Sequence, residues 1–328
     1  MRDLVDRFGR TINYLRISIT DRCNLRCLYC MPPEGLHKIS RHAILSYEEI
    51  LRIVEVSVKK GISKIRVTGG EPLVRKGVIG FIHSLSKIIG VKDISLTTNG
   101  ILLEDFADDL FNAGLCRINV SIDSLNSMKY QKITGGGDLR KVWRGIRKAI
   151  DVGMSPVKIN TVVMRGFNDD EVIDFARLSI SDPYHIRFIE YMPIGNNSEW
   201  NKGNHISSKE IRDILKGYKT LSPINTEETG PAQMFKIDGA MGKIGFISPL
   251  SDHFCSSCNR LRLTADGRLR TCLFSDKEVN LMQVLRGRLI DSELERLIES
   301  AILNKPEKHH FGEKIFRKCS RNMSAIGG

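Results

Sequence analysis

The sequence predicts an α/β protein that consists of a partial (β/α)6 barrel and a smaller C-terminal α+β domain. Six strand-like segments alternate with helical segments up to about residue 195, as in parallel sheets with crossover helices. Each strand carries polar or basic side chains on one face only. Beyond residue 195 the alternation gives way to a loop, a helix and short hairpin-like strands. We therefore assign residues 1–195 to the barrel and residues 196–328 to the second domain.

The six barrel strands are short, and helical stretches separate them. We predict strands at residues 15–20, 64–68, 93–98, 116–122, 157–163 and 185–191, with helices at 46–60, 138–150 and 169–179 among those between them. Ser46 and Glu49 have the spacing of a capping box, which marks the start of the first helix. The second domain should contain a helix at 207–217, a hairpin turn at Asp266-Gly267 and two helices near 278–303.

Side-chain alternation within the strands favours a barrel over a flat sheet. Leu15 and Ile17 alternate with Arg16 and Ser18, and the later strands repeat this pattern. A parallel sheet covered by helices on both faces would be apolar on both, and a closed eight-stranded barrel would have an aliphatic interior. Six strands with a polar inner face therefore predict an open barrel around a large polar ligand, with its chemistry at the C-terminal strand ends.

Three cysteines follow the first strand directly. Cys23, Cys27 and Cys30 have the spacing C-x3-C-x2-C. A structural zinc site uses four ligands, and a cubane iron–sulfur cluster normally binds four thiolates. Three thiolates in a tight loop therefore indicate a metal centre with one position left open for another ligand.

A second group of three cysteines lies in the C-terminal region. Cys255 and Cys258 form C-x2-C, and Cys272 follows after 13 residues. A zinc ribbon would need a fourth ligand, which His253 or Cys319 could supply. The spacing alone leaves zinc and an iron–sulfur cluster open for this segment.

The remaining residues near these motifs have less specific patterns. Arg260 and Arg262 flank Leu261 on a predicted strand, so both guanidinium groups face the same side beside the second cysteine group. Two interpretations remain: a solvated strand face, or a grip on an anion or nucleobase edge. Cys116 opens an apolar strand and is expected to be buried.

The amino-acid composition indicates what kind of ligand the protein binds. The 328 residues include 50 Lys and Arg against 38 Asp and Glu, so the net charge is +12 and favours an anionic ligand. The charges are dispersed, which favours a nucleotide and predicts no nucleic-acid partner. The first ten residues are too charged for a signal peptide, and no apolar run reaches a membrane span. We expect a cytoplasmic protein with no membrane partner and with reduced, metal-binding thiols.

The first cysteine motif, with Tyr29 before its last cysteine, resembles the defining loop of the radical S-adenosylmethionine (SAM) superfamily. The "TGGEP" stretch at 68–72 follows the second strand, as in that superfamily. The resemblance implies that the three thiolates bind three irons of a [4Fe–4S] cluster while SAM chelates the fourth iron. An electron from the cluster would then cleave SAM to methionine and a 5′-deoxyadenosyl radical.

With both cysteine groups included, the whole chain resembles the GTP 3′,8-cyclase family. The resemblance runs through "YLRISITDRCNLRCLYCMP", "IRVTGGEPLVR", "TTNG", "INVSID", "CNRLRLTADG" and the final "IGG". It implies a second [4Fe–4S] cluster, held by Cys255, Cys258 and Cys272, whose open iron binds the purine of GTP. The expected product is (8S)-3′,8-cyclo-7,8-dihydro-GTP, in the first step of molybdenum cofactor biosynthesis.

The same resemblance implies roles for individual residues and for partners. Tyr29, Gly70, Ser121 and Met192 would line SAM. Arg16, Arg66, Thr97, Lys158, Arg260 and Arg262 would contact GTP. Gly327 and Gly328 would reach into the active site and join Arg260 and Arg262 in the catalytic machinery, with a carboxylate delivered to these arginines. The electron donor would be a reduced flavodoxin or ferredoxin, and cyclic pyranopterin monophosphate synthase would be the next enzyme. The sequence leaves open whether the chain forms a homodimer.

Two other functions fit parts of the sequence. Another radical SAM enzyme with two clusters, such as a peptide- or sulfatase-maturing enzyme, would share the first motif but would need no polyphosphate site. A zinc-stabilised nucleic-acid-binding protein would need clustered basic residues with exposed aromatics, whereas aromatics are only 7% of the chain.

Overall fold

A single twelve-stranded sheet organises the part of the chain that the computed structural model describes, which is residues 4–31, 39–195, 200–225, 230–287, 291–313 and 319–327. The strands are β1 (Tyr14–Ser18), β2 (Lys64–Thr68), β3 (Asp93–Thr98), β4 (Arg117–Ser121), β5 (Val157–Val163), β6 (His185–Glu190), β7 (Leu221–Pro223), β8 (Gln233–Ile237), β9 (Lys243–Ile247), β10 (Arg260–Leu263), β11 (Arg268–Arg270) and β12 (Glu278–Asn280). The helices are α1 (Tyr47–Lys59), α2 (Val78–Lys87), α3 (Leu103–Asn112), α4 (Ser127–Thr134), α5 (Leu139–Asp151), α6 (Val172–Ser181), α7 (Ser208–Tyr218), α8 (Met282–Arg286), α9 (Asp291–Leu303) and α10 (Met323–Ile326). Across the described segments, no helix has the length and apolar character needed to span a bilayer.

Strands β1 to β6 form the predicted partial barrel. They pair in chain order, each parallel to the next. The six predicted strands are confirmed to within two residues at each end. The capping box at the start of α1 is also confirmed, because the Ser46 hydroxyl accepts from the Glu49 amide at 3.2 Å while the Glu49 carboxylate accepts from the Ser46 amide at 2.7 Å.

The C-terminal region completes the same sheet at both of its edges. β10 pairs parallel with β1, and β9 pairs parallel with β6. β11 and β12 continue beyond β10, while β8 and β7 continue beyond β9, all antiparallel to their neighbours. The predicted turn at Asp266-Gly267 joins β10 to β11, where Gly267 has a φ of +74°. The second domain therefore shares its backbone hydrogen bonding with the barrel.

Burial follows the predicted side-chain alternation. Leu15 and Ile17 belong to the main core, as do Ile65 and Val67 on the next strand. Fully burying an aliphatic side chain stabilises a fold by roughly 1.5–3 kcal/mol, so this face fixes the register of each strand. The opposite, polar face of the strands is then directed into the barrel interior.

Two expectations about local structure were wrong. Residues 278–280 were expected to be helical but form β12, where Val279 pairs with Leu269; the helices α8 and α9 follow. Cys116 was expected to be buried but is exposed, because β4 begins only at Arg117 and Cys116 lies in the preceding loop.

Candidate active site

One cavity of about 610 Å³ opens inside the partial barrel and receives side chains from β1 to β6. Both cysteine groups lie on its wall. Among the residues singled out from the sequence, those lining it are Arg16, Cys23, Cys27, Tyr29, Cys30, Arg66, Gly70, Thr97, Ser121, Lys158, Met192, Cys255, Cys258, Arg260, Arg262 and Cys272. The structure therefore brings together residues that are up to about 250 positions apart in the chain.

The first cysteine group occupies the loop after β1, and its thiols are free. Burial raises the pKa of Cys27 well above its usual value, and the adjacent Cys30 adds to the effect. Burial also raises the pKa of Cys30 to about 12. These thiols ionise only when a cation replaces their protons, which is how thiolate metal sites form. Soft thiolates with one missing ligand fit an iron–sulfur cluster that has an open position.

The glycines after β2 allow the chain to approach this loop closely. A Cβ on Gly70 would lie 2.4 Å from the carbonyl oxygen of Arg22, and one on Gly69 would lie 2.8 Å from that of Thr20. The amide of Gly70 instead donates to the Thr20 carbonyl at 2.7 Å, and the amide of Glu71 donates to the Arg22 carbonyl at 2.8 Å. The "GGEP" backbone therefore forms one wall beside the first cysteine group.

The carboxylate of Glu71 connects the loops that follow β2 and β3. It accepts from the amide of Asn99 at 2.7 Å, the amide of Leu73 at 3.0 Å and the hydroxyl of Thr98 at 2.8 Å. Burial raises the pKa of Glu71 to about 7 despite these donors. The hydrogen bonds hold two strand-end loops in fixed positions against the cysteine loop.

Asp123 is a site residue that our sequence reasoning missed. The hydroxyl of Tyr29 donates to its carboxylate at 2.7 Å, and the amide of Val162 donates at 2.8 Å. Burial raises the pKa of Asp123 to about 6. Asp123 ends the "INVSID" stretch, so its place just after a strand was the available signal. It fixes the Tyr29 ring between the cysteine loop and β5.

The second cysteine group flanks the β10–β11 hairpin, because Cys255 and Cys258 precede β10 and Cys272 follows β11. Its three thiols are also free. Burial raises the pKa of Cys255. At Cys258 burial opposes ionisation, but Arg260 and Lys305 overcome it and lower the pKa to about 6. The Arg260 guanidinium lies 3.9 Å from the Cys258 sulfur, so this site favours a thiolate. Lys305 carried no signal in the local sequence pattern.

Cys319 and His253, the two candidate fourth ligands for zinc, both contact residues other than the three cysteines. The Cys319 sulfur accepts from Arg270 at 3.0 Å and lies 3.2 Å from an Asp276 oxygen, and Cys319 is absent from the cavity wall formed by described residues. His253 lines the cavity and packs edge-on against His309. Within the described ranges, no three or more His, Cys, Asp or Glu side chains are grouped around a single metal position. Three thiols facing a cavity fit a cluster with an open iron.

Three arginines lie in register on adjacent strands. Arg262 on β10 is opposite Arg16 on β1, which is opposite Arg66 on β2. Neighbouring strands are only about 4.8 Å apart, so the three cations are close to one another. Burial lowers the pKa of Arg16 to about 10 and that of Arg262 well below its usual value, and the neighbouring arginines add to both effects. This arginine row, which consists of Arg262, Arg16 and Arg66, therefore concentrates positive charge on one wall of the cavity.

Further polar residues from the strands complete the interior. Lys64, Asn119 and Asn160 line the cavity, as the alternation placed them on the polar face, and so do Arg117 and Arg187, to which our sequence reasoning gave no position. Arg187 is only 5% exposed. A charged residue inside the apolar β6 segment is the same signal that identified Arg16, so the alternation could have found it.

Gly327 contacts the arginine row from the C-terminal side. Its carbonyl oxygen accepts from an Arg262 Nη at 2.9 Å. Gly327 has a φ of +83°, and a Cβ there would lie 2.8 Å from a Thr68 methyl and 2.9 Å from the Ser18 Cβ. Only glycine fits this space. Gly328 lies outside the described residues, so the expected contact of its carboxylate with Arg260 or Arg262 stays a prediction.

Comparisons of the sequence give a consistent result over the whole chain. A family model described as "Radical SAM superfamily" matches residues 17–179, and one described as "Molybdenum Cofactor Synthesis C" matches residues 184–311. A GTP 3′,8-cyclase of Alkaliphilus metalliredigens is 50% identical over 323 residues, 98% of this chain and 99% of the relative. A GTP 3′,8-cyclase of Thermodesulfovibrio yellowstonii is 52% identical over 325 residues, with the same coverage.

Solved structures share the fold at low sequence identity. Streptococcus suis SuiB bound to S-adenosylmethionine superposes with a TM-score of 0.62 at 14% identity, covering 90% of this chain and 69% of that protein. Methylornithine synthase (PylB) gives a TM-score of 0.51 at 17% identity, covering 64% and 63%. These neighbours support the partial-barrel architecture.

Proposed function

The chain belongs to the GTP 3′,8-cyclase family of the radical SAM superfamily, and we propose that its barrel cavity holds SAM and GTP side by side. The enzyme converts GTP to (8S)-3′,8-cyclo-7,8-dihydro-GTP in the first step of molybdenum cofactor biosynthesis. One observation carries the assignment of the site: both cysteine groups and the arginine row face the same cavity.

The first cysteine group would hold a [4Fe–4S] cluster together with SAM. When bound, these cofactors supply the one-electron chemistry that generates a radical able to remove hydrogen from the ribose of GTP. Tyr29, Gly70, Ser121 and Met192 line the adjacent wall, and we assign them to SAM. The absence of a side chain at Gly70 lets this wall pack directly against the Arg22 backbone beside the first cysteine group.

GTP would lie between the arginine row and the second cysteine group. Arg16, Arg66 and Lys158 offer cations to the triphosphate from the barrel interior. Thr97 lies on the same wall, while Arg260 and Arg262 lie beside the thiols that would hold the second [4Fe–4S] cluster. A bound triphosphate would neutralise the repulsion among these arginines. The same residues would therefore both bind GTP and hold it in a fixed orientation.

Anaerobic purification with iron analysis and turnover tests this proposal. About eight irons per chain are expected for two four-iron clusters. Incubation with SAM, GTP and dithionite should give the cyclised nucleotide and 5′-deoxyadenosine. A colourless protein that contains zinc would contradict the assignment, and so would 5′-deoxyadenosine release that never yields a cyclised nucleotide.

We also propose that the reductant in the cell is an acidic protein of the flavodoxin or ferredoxin type. Arg22, Arg41 and Lys76 are exposed around one surface depression, and Arg22 directly precedes Cys23. Such cations steer an acidic partner toward the first cysteine group. The charge reversal Lys76→Glu should slow turnover with reduced flavodoxin several-fold at low salt while dithionite-driven turnover stays unchanged. Equal rates with flavodoxin for both proteins would contradict this docking surface.

Two further assignments follow from the product and from the thiols. We propose that a cyclic pyranopterin monophosphate synthase consumes the cyclised nucleotide. Free thiols at all eight cysteines support a cytoplasmic location, where thiols stay reduced.

A further inference from the structure

Residues 319–327, here called the tail segment, lie beside both cysteine groups. Met323 and Ser324 line the cavity, and Ser324 is near the thiol of Cys30. Ile326 packs in a small core with Leu273 and Phe274, which follow Cys272 directly. The segment ends at Gly327 on Arg262. The segment therefore runs along the cavity wall and ends at the arginine row.

An ion-pair network holds the start of this segment. The guanidinium of Arg321 donates to the two carboxylate oxygens of Asp266 at 3.1 and 2.9 Å. It also lies 2.7 Å from one Glu278 oxygen and donates to the other at 2.9 Å. The side chains of Arg321, Asp266 and Glu278 are 23%, 19% and 17% exposed. We call these three residues the Arg321 clamp.

The clamp rests on a fully buried arginine. Arg270 has no exposed surface and donates to Glu278, to the Ser275 carbonyl and to the Cys319 sulfur. The amide of Ser320 adds hydrogen bonds of 3.1 Å to both oxygens of Asp276. Isolated surface ion pairs contribute little to stability, but bidentate pairs that share a buried partner fix geometry. The tail segment is thus locked to the β10–β12 region at several points.

The clamp and Arg262 belong to one hairpin. Asp266 lies in the turn between β10 and β11, and Arg262 lies on β10. Arg321 therefore joins the tail segment to the same element that carries the residue contacted by Gly327. A shift of the tail segment relative to this hairpin would move the Gly327 carbonyl away from the Arg262 guanidinium.

We propose that Arg321 is a positioning residue for Arg262. Through Asp266 and Glu278 it holds the tail segment so that the Gly327 carbonyl engages one Nη of Arg262 and directs the remaining donors of the guanidinium toward the cavity. This inference rests on the proposed function, because it assigns Arg262 to GTP. It separates two outcomes of one turnover: SAM cleavage, which Arg321 does not touch, and cyclisation, which requires a correctly oriented nucleotide.

The test compares Arg321→Gln with the wild type under dithionite-driven turnover. We expect unchanged iron content and 5′-deoxyadenosine release, with cyclised nucleotide per 5′-deoxyadenosine reduced about tenfold, the scale of one lost charged hydrogen bond. Arg321→Lys should restore part of the ratio, since an ammonium keeps the charge but not the bidentate geometry. Amide hydrogen exchange in residues 319–327 should accelerate in Arg321→Gln.

Arg268→Gln is the matched control. Arg268 also faces Asp266, at 3.9 Å, but its side chain is 37% exposed. The wild-type ratio is expected for this variant. If Arg321→Gln lost its iron, Glu278→Gln would be compared in the same way.

Three results would separate the possible failures. An unchanged ratio in Arg321→Gln would overturn the inference, as would a parallel fall in both products, which indicates general damage. A wild-type enzyme that makes 5′-deoxyadenosine without any cyclised nucleotide would refute the proposed function instead.

Discussion

The contact between Gly327 and Arg262 depends on the absence of a side chain. The Gly327 carbonyl accepts from a buried guanidinium, while a Cβ at this position would collide with Thr68 and Ser18. Positive φ alone would make glycine favourable, and the steric contacts make it necessary. Two independent restrictions therefore apply at this one position.

Gly327→Ala should reduce the ratio of cyclised nucleotide to 5′-deoxyadenosine at least about tenfold, because the new methyl group forces the carbonyl away from a charged hydrogen-bond donor. Product analysis after anaerobic turnover measures the ratio. Gly239→Ala is the control, since Gly239 has a similar φ of +75° but nothing within 4 Å of its Cβ position. Equal ratios in the two variants would show that the contact has no role in cyclisation.

The two cysteine groups should be separable by mutation. Cys27→Ala should abolish 5′-deoxyadenosine formation, because alanine offers no ligand to iron. Cys258→Ala should keep SAM cleavage above background while cyclised nucleotide disappears. Iron analysis should show about four irons in each variant. Loss of SAM cleavage in Cys258→Ala, with the first cluster still present, would mean that the two groups serve one reaction centre.

The arginine row predicts a trade-off between stability and binding. Arg16→Met should raise the melting temperature of the nucleotide-free protein, because it removes a buried cation from between Arg66 and Arg262. The same change should reduce the stabilisation by GTP, with a loss of about 1.5–3 kcal/mol in binding. Thermal denaturation with and without GTP measures both effects. Arg177→Met, at an exposed pair on α6, should change neither, and a lower melting temperature for Arg16→Met would contradict the repulsion.

The sequence predicted the residues that belong to a local pattern. Arg16, Arg66, Ser121 and Lys158 could be placed inside the barrel because side chains alternate along a strand. Asp123 and Lys305 could not be identified in this way, since their roles depend on Tyr29 and Cys258, which are distant in sequence. Alternation gives the direction of a side chain but does not show which distant residue lies beside it.

At the scale of the secondary-structure elements, the Glu190 carboxylate connects the end of β6 to helix α7 and to the loop after β9. It accepts from the amide of Ser208 at the start of α7 at 2.9 Å. It also accepts from the amides of Leu250 at 3.0 Å and Ser251 at 3.1 Å, beyond the end of β9. Burial opposes ionisation, but His205 and these donors prevail and lower the pKa of Glu190 to about 2. One carboxylate thereby joins a strand, a helix and a loop.

Glu190→Gln should destabilise the protein by about 3 kcal/mol at pH 7, from a folded pKa about 2.5 units below the ordinary 4.5. Between pH 4.5 and pH 2 the unfolded chain takes up a proton that the folded Glu190 does not. The wild type therefore loses this stability as the pH falls, and its advantage over the variant shrinks. Urea denaturation from pH 7 downward measures the difference.

Glu104→Gln, at an exposed pair with Arg144, provides the comparison. It should cost well under 1 kcal/mol at any pH. A constant gap between the wild type and Glu190→Gln across the acidic range would mean that the carboxylate is not ionised in the fold.

Secondary-structure elements could be predicted from the sequence where side-chain periodicity or helix-capping residues marked them. The strands of the barrel and the start of α1 followed from alternation and from Ser46 with Glu49. The positions of β9 and β10 at opposite edges of the sheet did not follow, because strand pairing is decided by partners about 55 to 245 residues away. No local pattern contains that information.

For the whole molecule, the shared sheet affects how the two regions depend on each other. The C-terminal region covers the β1 edge with β10 and the β6 edge with β9. Without it, both edges of the barrel would expose unpaired backbone groups, which promote association between chains. The boundary that we predict at residue 195 therefore does not divide the hydrogen-bonded sheet.

A fragment of residues 1–195 should not form a stable monomer. We expect it to elute as aggregates in size-exclusion chromatography, whereas the full chain elutes as a defined species. Its amides on β1 and β6 should exchange much faster than in the full protein, because they lose their outer partners. A soluble monomeric fragment that binds iron at the first cysteine group would show that the barrel is independent.

The pairing of β1 with β10 also affects when a newly synthesised chain can complete its sheet. Tyr14 and its partner Arg260 are separated by 246 positions, and Ser324 reaches Cys30 only after almost the entire chain has been made. At about 5–20 residues per second, the first cysteine loop waits roughly 15–60 s on the ribosome and beyond it before its last neighbours arrive. Met323 and Ser324 line the same cavity as this loop. An incomplete chain that ends before residue 319 therefore carries the first cysteine loop without these two neighbours.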